Sequence, residues 1–235
     1  MNSNELKKKC AVAALDYVEE GKYIGIGTGT TVSFFINELA LSGKKVKGCV
    51  SSSEASTNQL LTMGMTVVDL NEIDELPVYI DGCDEIDENF NMIKGGGGAL
   101  TREKIVAQAA EKFVCIADKT KLVKTLGKFP LPIEVMPMAV RSVSEALRAL
   151  GGDPVLRDFI TDNGNRILDV KGFTILDPAK LEETINQIPG VVTCGIFARR
   201  GADVLLLAEE EGVRVLEPKQ KGILNRLKRA SETKK

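Results

Sequence analysis

The alternation of strand and helix patterns in the first 130 residues constrains the fold of this chain most strongly. Short apolar runs typical of strands alternate with segments whose apolar residues recur at helical spacing. Parallel strands joined by helices account for such an order. We therefore predict an α/β fold with an open, mostly parallel, Rossmann-like sheet and helices on both faces. The predicted strands cover residues 23–26, 46–50, 66–68, 78–80 and 113–117, and the predicted helices cover residues 5–20, 32–39, 54–63 and 102–112.

The pair Pro130 and Pro132 marks an expected domain boundary, because proline restricts its own backbone and that of the residue before it. The order of elements beyond this pair is close to the split β-α-β-β-α-β arrangement. We expect a smaller α+β, ferredoxin-like domain over residues 131–208, and a catalytic domain formed by residues 1–130 with 209–235. The later predicted strands cover residues 133–138, 159–161, 166–170, 191–197 and 204–208, and the later predicted helices cover residues 142–150, 178–187 and 222–230.

The composition is that of a soluble globular protein, with 43% hydrophobic and 27% charged residues. The formal net charge of −2 gives no reason to expect nucleic acid or an anionic membrane as a partner. We find no export signal and no apolar run of the ~20 residues that span a bilayer. The five cysteines form no C-x-x-C pair, which argues against a disulfide framework or a zinc site and favours the reducing cytoplasm.

The segment Gly27-Thr28-Gly29-Thr30-Thr31 follows a predicted strand and opens a predicted helix, which is where open α/β sheets bind ligands. Backbone N–H groups and hydroxyls there would stabilise an anion, and phosphate is the expected ligand. A glycine turn followed by a threonine N-cap explains the segment equally well. A dinucleotide fingerprint fits poorly: Glu54 lies near the place of a ribose-binding acid, but Thr30 replaces the third glycine.

Four consecutive glycines, residues 95–98, follow Lys94 and cost more backbone entropy than a structural loop needs. They indicate that a ligand approaches this backbone closely. Upstream, Asp81 ends a predicted strand and Gly82 lets the chain turn, so that Asp84 can face the same crevice. Two carboxylates held together are a candidate acid/base pair, because like charges in one site favour a shared proton. A solvated acidic turn is the structural alternative.

Histidine is absent from the chain, so proton transfer must use Asp, Glu, Lys, Tyr or Cys. Glu103 falls in the first turn of the helix predicted at residues 102–112, at the head of an apolar stripe. This position makes it a candidate general base whose pKa depends on burial, the helix dipole and Lys94. The alternative is a glutamate placed there by the helix dipole alone. Arg102 and Lys104 point away from the stripe and are expected to face solvent.

The remaining polar groups near these segments give weaker signals. The sequence Asp87-x-Asn89-x-Asn91 begins like a calcium loop, but methionine and glycine stand where the loop needs glycine and glutamate, so no metal is expected. Lys121 follows a strand and could reach an anion at the same sheet edge, although a surface lysine is the commoner case. Cys83 lies beside the carboxylates, but no histidine could activate it as a nucleophile.

These residues together closely resemble ribose-5-phosphate isomerase of type A, in register over almost the whole chain. The most specific part is the glycine run after Lys94, followed at Glu103 by the family's glutamate. Three departures are modest: Cys83 replaces a usual alanine, Thr101 replaces an aliphatic residue and is expected to cap the helix, and Thr120 replaces a serine. The segments that carry the resemblance are residues 27–31, 81–87, 94–104, 129–139 and 161–165.

The resemblance implies interconversion of D-ribose 5-phosphate and D-ribulose 5-phosphate through an enediolate, in the non-oxidative pentose phosphate pathway and without metal or organic cofactor. Glu103 would then shuttle the carbon proton, and Lys94 would stabilise the oxyanion. Asp81 and Asp84 would handle hydroxyl protons and ring opening. The family also implies a homodimer or a larger homo-oligomer, with the smaller domain as a contact. The substrate-binding residues implied are Thr28, Gly29, Thr30, Thr31, Asp81, Gly82, Cys83, Asp84, Lys94, Gly95, Gly96, Gly97 and Lys121.

Two other functions are compatible with parts of this pattern. Another sugar-phosphate isomerase or deaminase on a related fold would share the phosphate loop but contact the sugar differently. A sugar-phosphate sensor domain of a regulator would have a similar architecture and would carry a DNA-binding helix-turn-helix. The 22 residues before the first predicted strand are expected to be too few for that motif.

Overall fold

The computed structural model of the protein describes residues 3–218, so the helix predicted at residues 222–230 lies outside the described residues. Within that range the α-helices are α1 (Ser3–Ala14), α2 (Thr30–Ser42), α3 (Glu54–Thr62), α4 (Leu100–Ala109), α5 (Val140–Ala149) and α6 (Pro178–Asn186). The strands are β1 (Tyr23–Ile26), β2 (Gly48–Ser51), β3 (Val78–Asp81), β4 (Glu85–Ile86), β5 (Met92–Ile93), β6 (Lys112–Asp118), β7 (Leu131–Val135), β8 (Asp153–Ile160), β9 (Arg166–Lys171), β10 (Val191–Cys194), β11 (Ile196–Phe197), β12 (Val204–Ala208) and β13 (Val213–Leu216).

The largest sheet has six strands in the order β13-β12-β6-β3-β1-β2. All of its neighbouring strands are parallel except β12 and β13, which confirms the predicted mostly parallel α/β sheet. Its central strands are buried on both faces, so they read as continuous apolar runs in the sequence. Ile24 and Ile80 on one face pack with residues of α1 and α2, while Tyr79 and Phe113 on the other pack with α4.

A second, four-stranded antiparallel sheet has the order β10-β7-β9-β8. Helix α5 follows β7 and helix α6 follows β9, so the chain order is the predicted β-α-β-β-α-β arrangement. Buried residues of both helices and of this sheet, among them Ile133, Val143, Leu168 and Ile185, form a third core. A small sheet in the order β11-β5-β4 includes β5, the strand that precedes Lys94.

Strand β12 was predicted within the smaller domain, but it pairs in parallel with β6 in the six-stranded sheet. All five of its residues are buried, as expected for an inner strand of a parallel sheet rather than for a strand with a solvent face. The segment predicted as one strand at residues 191–197 is divided between β10 and β11, which lie in different sheets. Residues 66–68 make only an isolated bridge at Val67. The division of the chain into two domains remains a prediction.

Candidate active site

The order of the six-stranded sheet reverses at β1, since β1 lies between β2 and β3. Open α/β sheets bind ligands beyond the carboxyl ends of their strands at such a point. Asp81 ends β3 there and is completely buried. Its Oδ1 accepts hydrogen bonds from the N–H of Gly82 at 2.7 Å and of Thr28 at 3.1 Å. A Cβ on Gly27 would lie 2.0 Å from the Asp81 carboxyl group, so only glycine fits after β1.

Lys94 follows β5 and is buried against the same carboxylate. Its Nζ lies 2.7 Å from Asp81 Oδ2 and 3.3 Å from Glu103 Oε2, and it donates a hydrogen bond of 2.6 Å to the Gly82 carbonyl. Burial lowers the pKa of Lys94, but the Asp81 and Glu103 carboxylates outweigh burial and hold it above its ordinary value. The ammonium group is therefore held in its charged form between the carboxyl groups of Asp81 and Glu103. Such a cation can stabilise an oxyanion.

Glu103 lies in the first turn of α4 and is buried, with 4% of the residue exposed. Its Oε2 receives no aligned hydrogen bond from any residue in the described part of the chain. Burial raises the pKa of Glu103 from 4.5 to about 8, although the Lys94 ammonium opposes this rise and Asp81 adds to it. A carboxyl group with a pKa near neutral is suited to take up and return a proton at physiological pH.

The glycine run forms a tight turn between Lys94 and α4. The N–H of Gly98 donates to the carbonyl of Gly95 at 3.0 Å, and both residues have a positive φ, 102° for Gly95 and 82° for Gly98. The N–H of Gly96 donates to Asp84 Oδ2 at 2.8 Å, and a Cβ on Gly96 would lie 2.6 Å from Asp84 Oδ1. The run therefore brings backbone, rather than side chains, against Asp84 and the cleft.

These groups surround a cleft of about 140 Å³. It brings together every residue predicted to bind substrate except Asp81, which is buried and does not line it. Lys7 on α1 also lines the cleft and was not predicted. The only signal for Lys7 in the sequence is the run of three lysines at residues 7–9, and this run does not indicate which lysine faces the cleft. The lining residues are Lys7, Thr28, Gly29, Thr30, Thr31, Gly82, Cys83, Asp84, Lys94, Gly95, Gly96, Gly97, Glu103 and Lys121.

One end of the cleft is the start of α2. Gly29 is the N-cap residue with a φ of 107°, and no side chain caps the helix. The threonine N-cap considered as an alternative is therefore not formed, and the Thr28 hydroxyl instead lies 2.9 Å from the Ser52 hydroxyl. An uncapped helix start that lines a cleft together with Lys7 and Lys121 is suited to bind a phosphate.

Two expectations about α4, for Thr101 and Lys104, are wrong, and the one for Arg102 is incomplete. Thr101 does not cap the helix, because its hydroxyl donates to the buried carboxylate of Glu134 on β7. Arg102 donates to Glu54 at 2.7 Å and to Asn163 at 2.9 Å, so it is not simply solvent-facing. Lys104 Nζ pairs with Glu182 at 2.6 Å and lies 4.7 Å from the centre of the Phe197 ring. The partners of these three residues come from distant segments of the chain, and helical periodicity does not reveal such partners.

The segment that resembles a calcium loop is an internally bonded turn. Asp87 Oδ1 accepts from the N–H groups of Asn89 and Asn91 at 2.8 and 2.9 Å, and its Oδ2 accepts from the Asn91 side chain. Among residues 3–218, no group of three or more histidine, cysteine, aspartate or glutamate side chains is arranged to hold a metal ion. Over the same range, no helix has the length and apolar character needed to cross a membrane.

A buried glutamate and lysine beside a cleft at the carboxyl ends of parallel strands are typical of an α/β enzyme that moves protons. A family model, ribose 5-phosphate isomerase A (phosphoriboisomerase A), matches residues 48–212. A ribose-5-phosphate isomerase A from Bordetella pertussis is 55% identical over 222 residues, which cover 92% of this chain and 98% of that protein. The chain therefore belongs to the ribose 5-phosphate isomerase A family, as the sequence resemblance implies.

Solved structures agree with this assignment. The crystal structure of ribose 5 phosphate isomerase A from Neisseria gonorrhoeae is 53% identical, with a TM-score of 0.92, and the match covers 93% of this chain and 99% of that one. A D-ribose-5-phosphate isomerase in complex with phospho-erythronic acid is 38% identical, with a TM-score of 0.89, over 92% of this chain and all of that one. The similarity thus extends over all three sheets.

Proposed function

We propose that this protein interconverts D-ribose 5-phosphate and D-ribulose 5-phosphate in the non-oxidative pentose phosphate pathway, without a metal or an organic cofactor. Membership of the family supports the reaction, and a relative bound to phospho-erythronic acid supports a phosphorylated sugar-like ligand. The observation that carries the mechanism is the buried Glu103, whose carboxylate lies 3.3 Å from the Lys94 ammonium beside the cleft.

In this mechanism Glu103 removes the proton from C2 of the open-chain aldose. The electron pair of that C–H bond forms the C1–C2 double bond of an enediolate, and negative charge develops on the oxygen of C1. The Lys94 ammonium stabilises this oxyanion. Glu103 then returns a proton to C1, while the proton of the C2 hydroxyl moves to the oxygen of C1, so that the oxygen of C2 becomes the ketose carbonyl. Glu103 carries the carbon proton in both directions and can exchange it with solvent before returning it, and the overall reaction neither gains nor loses a proton.

Asp81 and Asp84 are proposed to move the hydroxyl protons. Asp84 lines the cleft and Asp81 lies buried behind it against Lys94, and each carboxylate has a backbone N–H donor that fixes its orientation. Transfer of a hydroxyl proton is needed both to open the furanose ring and to exchange protons between the oxygens of C1 and C2. Lys94 links the two steps, because it is paired with Asp81 and Glu103 at once.

The phosphate is proposed to bind at the start of α2. Thr28, Gly29, Thr30 and Thr31 would contribute backbone N–H groups and hydroxyls, in a place where the helix dipole favours an anion. Lys121 would add a cation, and Lys7 would do the same from α1, as its position in the cleft lining supports. The sugar would then lie along Gly95, Gly96, Gly97, Gly82 and Cys83, which leave room for its hydroxyls.

A turnover comparison tests this proposal. The purified chain is assayed with D-ribose 5-phosphate and with an amino-hexose phosphate, each with and without a chelator. We expect isomerisation of the pentose phosphate at a rate that the chelator does not change, and no comparable turnover of the amino-hexose phosphate. Preference for the amino-hexose phosphate would assign the cleft to a related isomerase or deaminase instead. Loss of activity only with chelator would show that a metal takes part.

We also propose that the protein is a cytoplasmic homodimer or larger homo-oligomer. Strand β8 is the edge of the four-stranded sheet, and its apolar Val155, Leu156 and Ile160 are exposed. Such an edge supports contact with a second copy through the smaller domain. The five cysteines are all free thiols and support a reducing compartment. Sedimentation velocity tests the assembly, and a monomer at micromolar concentration would contradict it; fractionation of the source cell tests the location.

A further inference from the structure

Arg157 on β8 reaches from the smaller sheet to the glycine run, although it does not line the cleft. Its Nη1 donates to the carbonyl of Gly95 and to the carbonyl of Gly96, each at 3.1 Å. Its Nε and Nη2 are held by the two oxygens of Asp169 at 2.8 and 2.6 Å. The guanidinium group is thus fixed by a bidentate pair on one side and binds the backbone of the run on the other.

The Gly95–Gly96 peptide group is hydrogen-bonded to Arg157 on one side and to Asp84 on the other. The carbonyl of Gly95 and the N–H of Gly96 belong to one planar peptide unit, and no described peptide bond is cis, so the two groups point in opposite directions. Arg157 holds the carbonyl and Asp84 accepts from the N–H at 2.8 Å. A peptide between two glycines rotates more freely than any other. The carbonyl of Gly95 also accepts the N–H of Gly98, so the guanidinium group and this turn together fix a plane that two glycines would otherwise leave free.

We propose that Arg157, oriented by Asp169, is a positioning residue for Asp84. It holds the Gly95–Gly96 peptide so that the N–H of Gly96 points at the Asp84 carboxylate, and it fixes that carboxylate in the cleft through this one peptide. Phe159, two residues further along β8, supports the same loop, since a Cβ on Gly98 would lie 2.3 Å from its ring. The proposal rests on the proposed function, in which Asp84 moves hydroxyl protons.

The test compares Arg157→Lys with Asp84→Asn and with the double variant, by kcat and KM for D-ribose 5-phosphate. Lysine keeps the charge but cannot bind two carbonyls and both oxygens of Asp169. We expect Arg157→Lys to lower kcat by about 10- to 100-fold, as misplacement of a catalytic group does, with a smaller change in KM. Because Arg157 acts through Asp84, the double variant should lose no more activity than Asp84→Asn alone. Losses that multiply in the double variant would overturn the proposal.

Arg200→Lys is the matched control. Arg200 is similarly buried, pairs with Asp203 at 2.8 Å and donates to the carbonyls of Ala107 and Ala110 at the far end of α4. Its variant should lose stability as Arg157→Lys does, but keep kcat within about twofold, because neither Arg200 nor its partners line the cleft. An equal effect of both variants on kcat would mean that Arg157 is only structural.

A second measurement does not depend on turnover. Amide hydrogen exchange at Gly96, followed by NMR, should be faster in Arg157→Lys by about tenfold or more and unchanged in Arg200→Lys, because the N–H of Gly96 loses its fixed acceptor. Unchanged exchange at Gly96 would overturn the proposal even if activity falls. Failure of the proposed function would give a different result, because the unmodified chain would then not turn over D-ribose 5-phosphate. In that case the hydrogen-exchange comparison would still decide whether Arg157 positions Gly96.

Discussion

Glu103 is buried, and one of its oxygens has no aligned hydrogen bond within the described residues. Both properties conflict with the charge that an ordinary glutamate carries. Burial stabilises the protonated form of Glu103 and so raises its pKa, and the nearby Lys94 ammonium limits this rise. The conflict is useful for catalysis, because a carboxylate in water is too weak a base to remove a carbon-bound proton, whereas one with a raised pKa is stronger. Stability and activity should therefore respond to pH through this one residue.

The pH dependence of kcat/KM follows from the raised pKa of Glu103. A general base must be ionised, and the free enzyme holds Glu103 protonated below a pKa of about 8. We expect kcat/KM for D-ribose 5-phosphate to rise with pH and to level off above about pH 8, with a tenfold fall for each pH unit well below it. Initial rates between pH 5 and 9 measure this. A profile that is flat from pH 5 upwards would contradict the assignment.

Glu103→Gln should stabilise the protein at alkaline pH. The folded-state pKa of Glu103 lies above its ordinary value of 4.5, so its contribution to stability is fully present below pH 4.5 and is lost as pH rises through about 8. Glutamine carries no charge and avoids this loss. We expect the Tm of Glu103→Gln to exceed that of the unmodified chain at pH 9, by about 2–4 °C for each kcal/mol of unfolding free energy that is regained. At pH 5 the difference should be smaller. Equal Tm differences at both pH values would rule out a raised pKa.

At the scale of elements, the positions of the site follow from local sequence patterns. Strands β1 and β3 were predicted at nearly their observed bounds, because inner parallel strands are continuous apolar runs. The two-residue strand β5, which precedes Lys94, was not predicted. Gly27 and Asp81 follow from their place at the ends of β1 and β3. Contacts between elements could not be predicted in this way: Lys7 and Arg157 reach the cleft region from α1 and β8, and only the packing of those elements brings them there.

Within the glycine run, two neighbouring positions should respond differently to alanine. A Cβ on Gly96 would lie 2.6 Å from Asp84 Oδ1, whereas a Cβ on Gly97 would make an ordinary contact of 3.7 Å with Thr28. We expect Gly96→Ala to lower kcat/KM by about tenfold or more, because it displaces the Asp84 carboxylate, and Gly97→Ala to lower it less. Steady-state kinetics of the two variants decide this. The opposite order of effects would show that Asp84 is not held as described.

At the scale of the whole molecule, a buried carboxylate joins the four-stranded sheet to α4, the helix that packs on the six-stranded sheet. Glu134 on β7 is fully buried and accepts hydrogen bonds from Thr101 on α4, from Thr161 at 2.9 Å, and from the side chains of Asn163 and Asn165. It was not predicted as a functional residue, because its partners lie about 30 residues away on either side in the sequence. The network holds the start of α4, the helix that presents Glu103, against the smaller sheet.

Glu134→Ala should therefore destabilise the protein strongly. The substitution removes a fully buried carboxylate and leaves four donors without their acceptor, of which Thr161 is buried and Asn163 is exposed. This costs about 1–3 kcal/mol of unfolding free energy. Glu145→Ala is the control, since Glu145 pairs with Arg141 on an exposed helix surface, and its removal should change stability by less than about 0.5 kcal/mol. Urea unfolding of both variants measures the difference. A similar small loss in both would mean that the network contributes little to the fold.

The central claim is that Glu103 carries the carbon-bound proton, and solvent exchange tests it most directly. The protein is incubated with D-ribose 5-phosphate in deuterated water, and deuterium at C2 of the aldose is followed by NMR. The unmodified chain and Glu111→Gln, a change at an exposed glutamate just after α4, should both incorporate deuterium. Glu103→Gln should abolish incorporation, because the amide cannot remove the proton. Full exchange at C2 with Glu103→Gln would contradict the account.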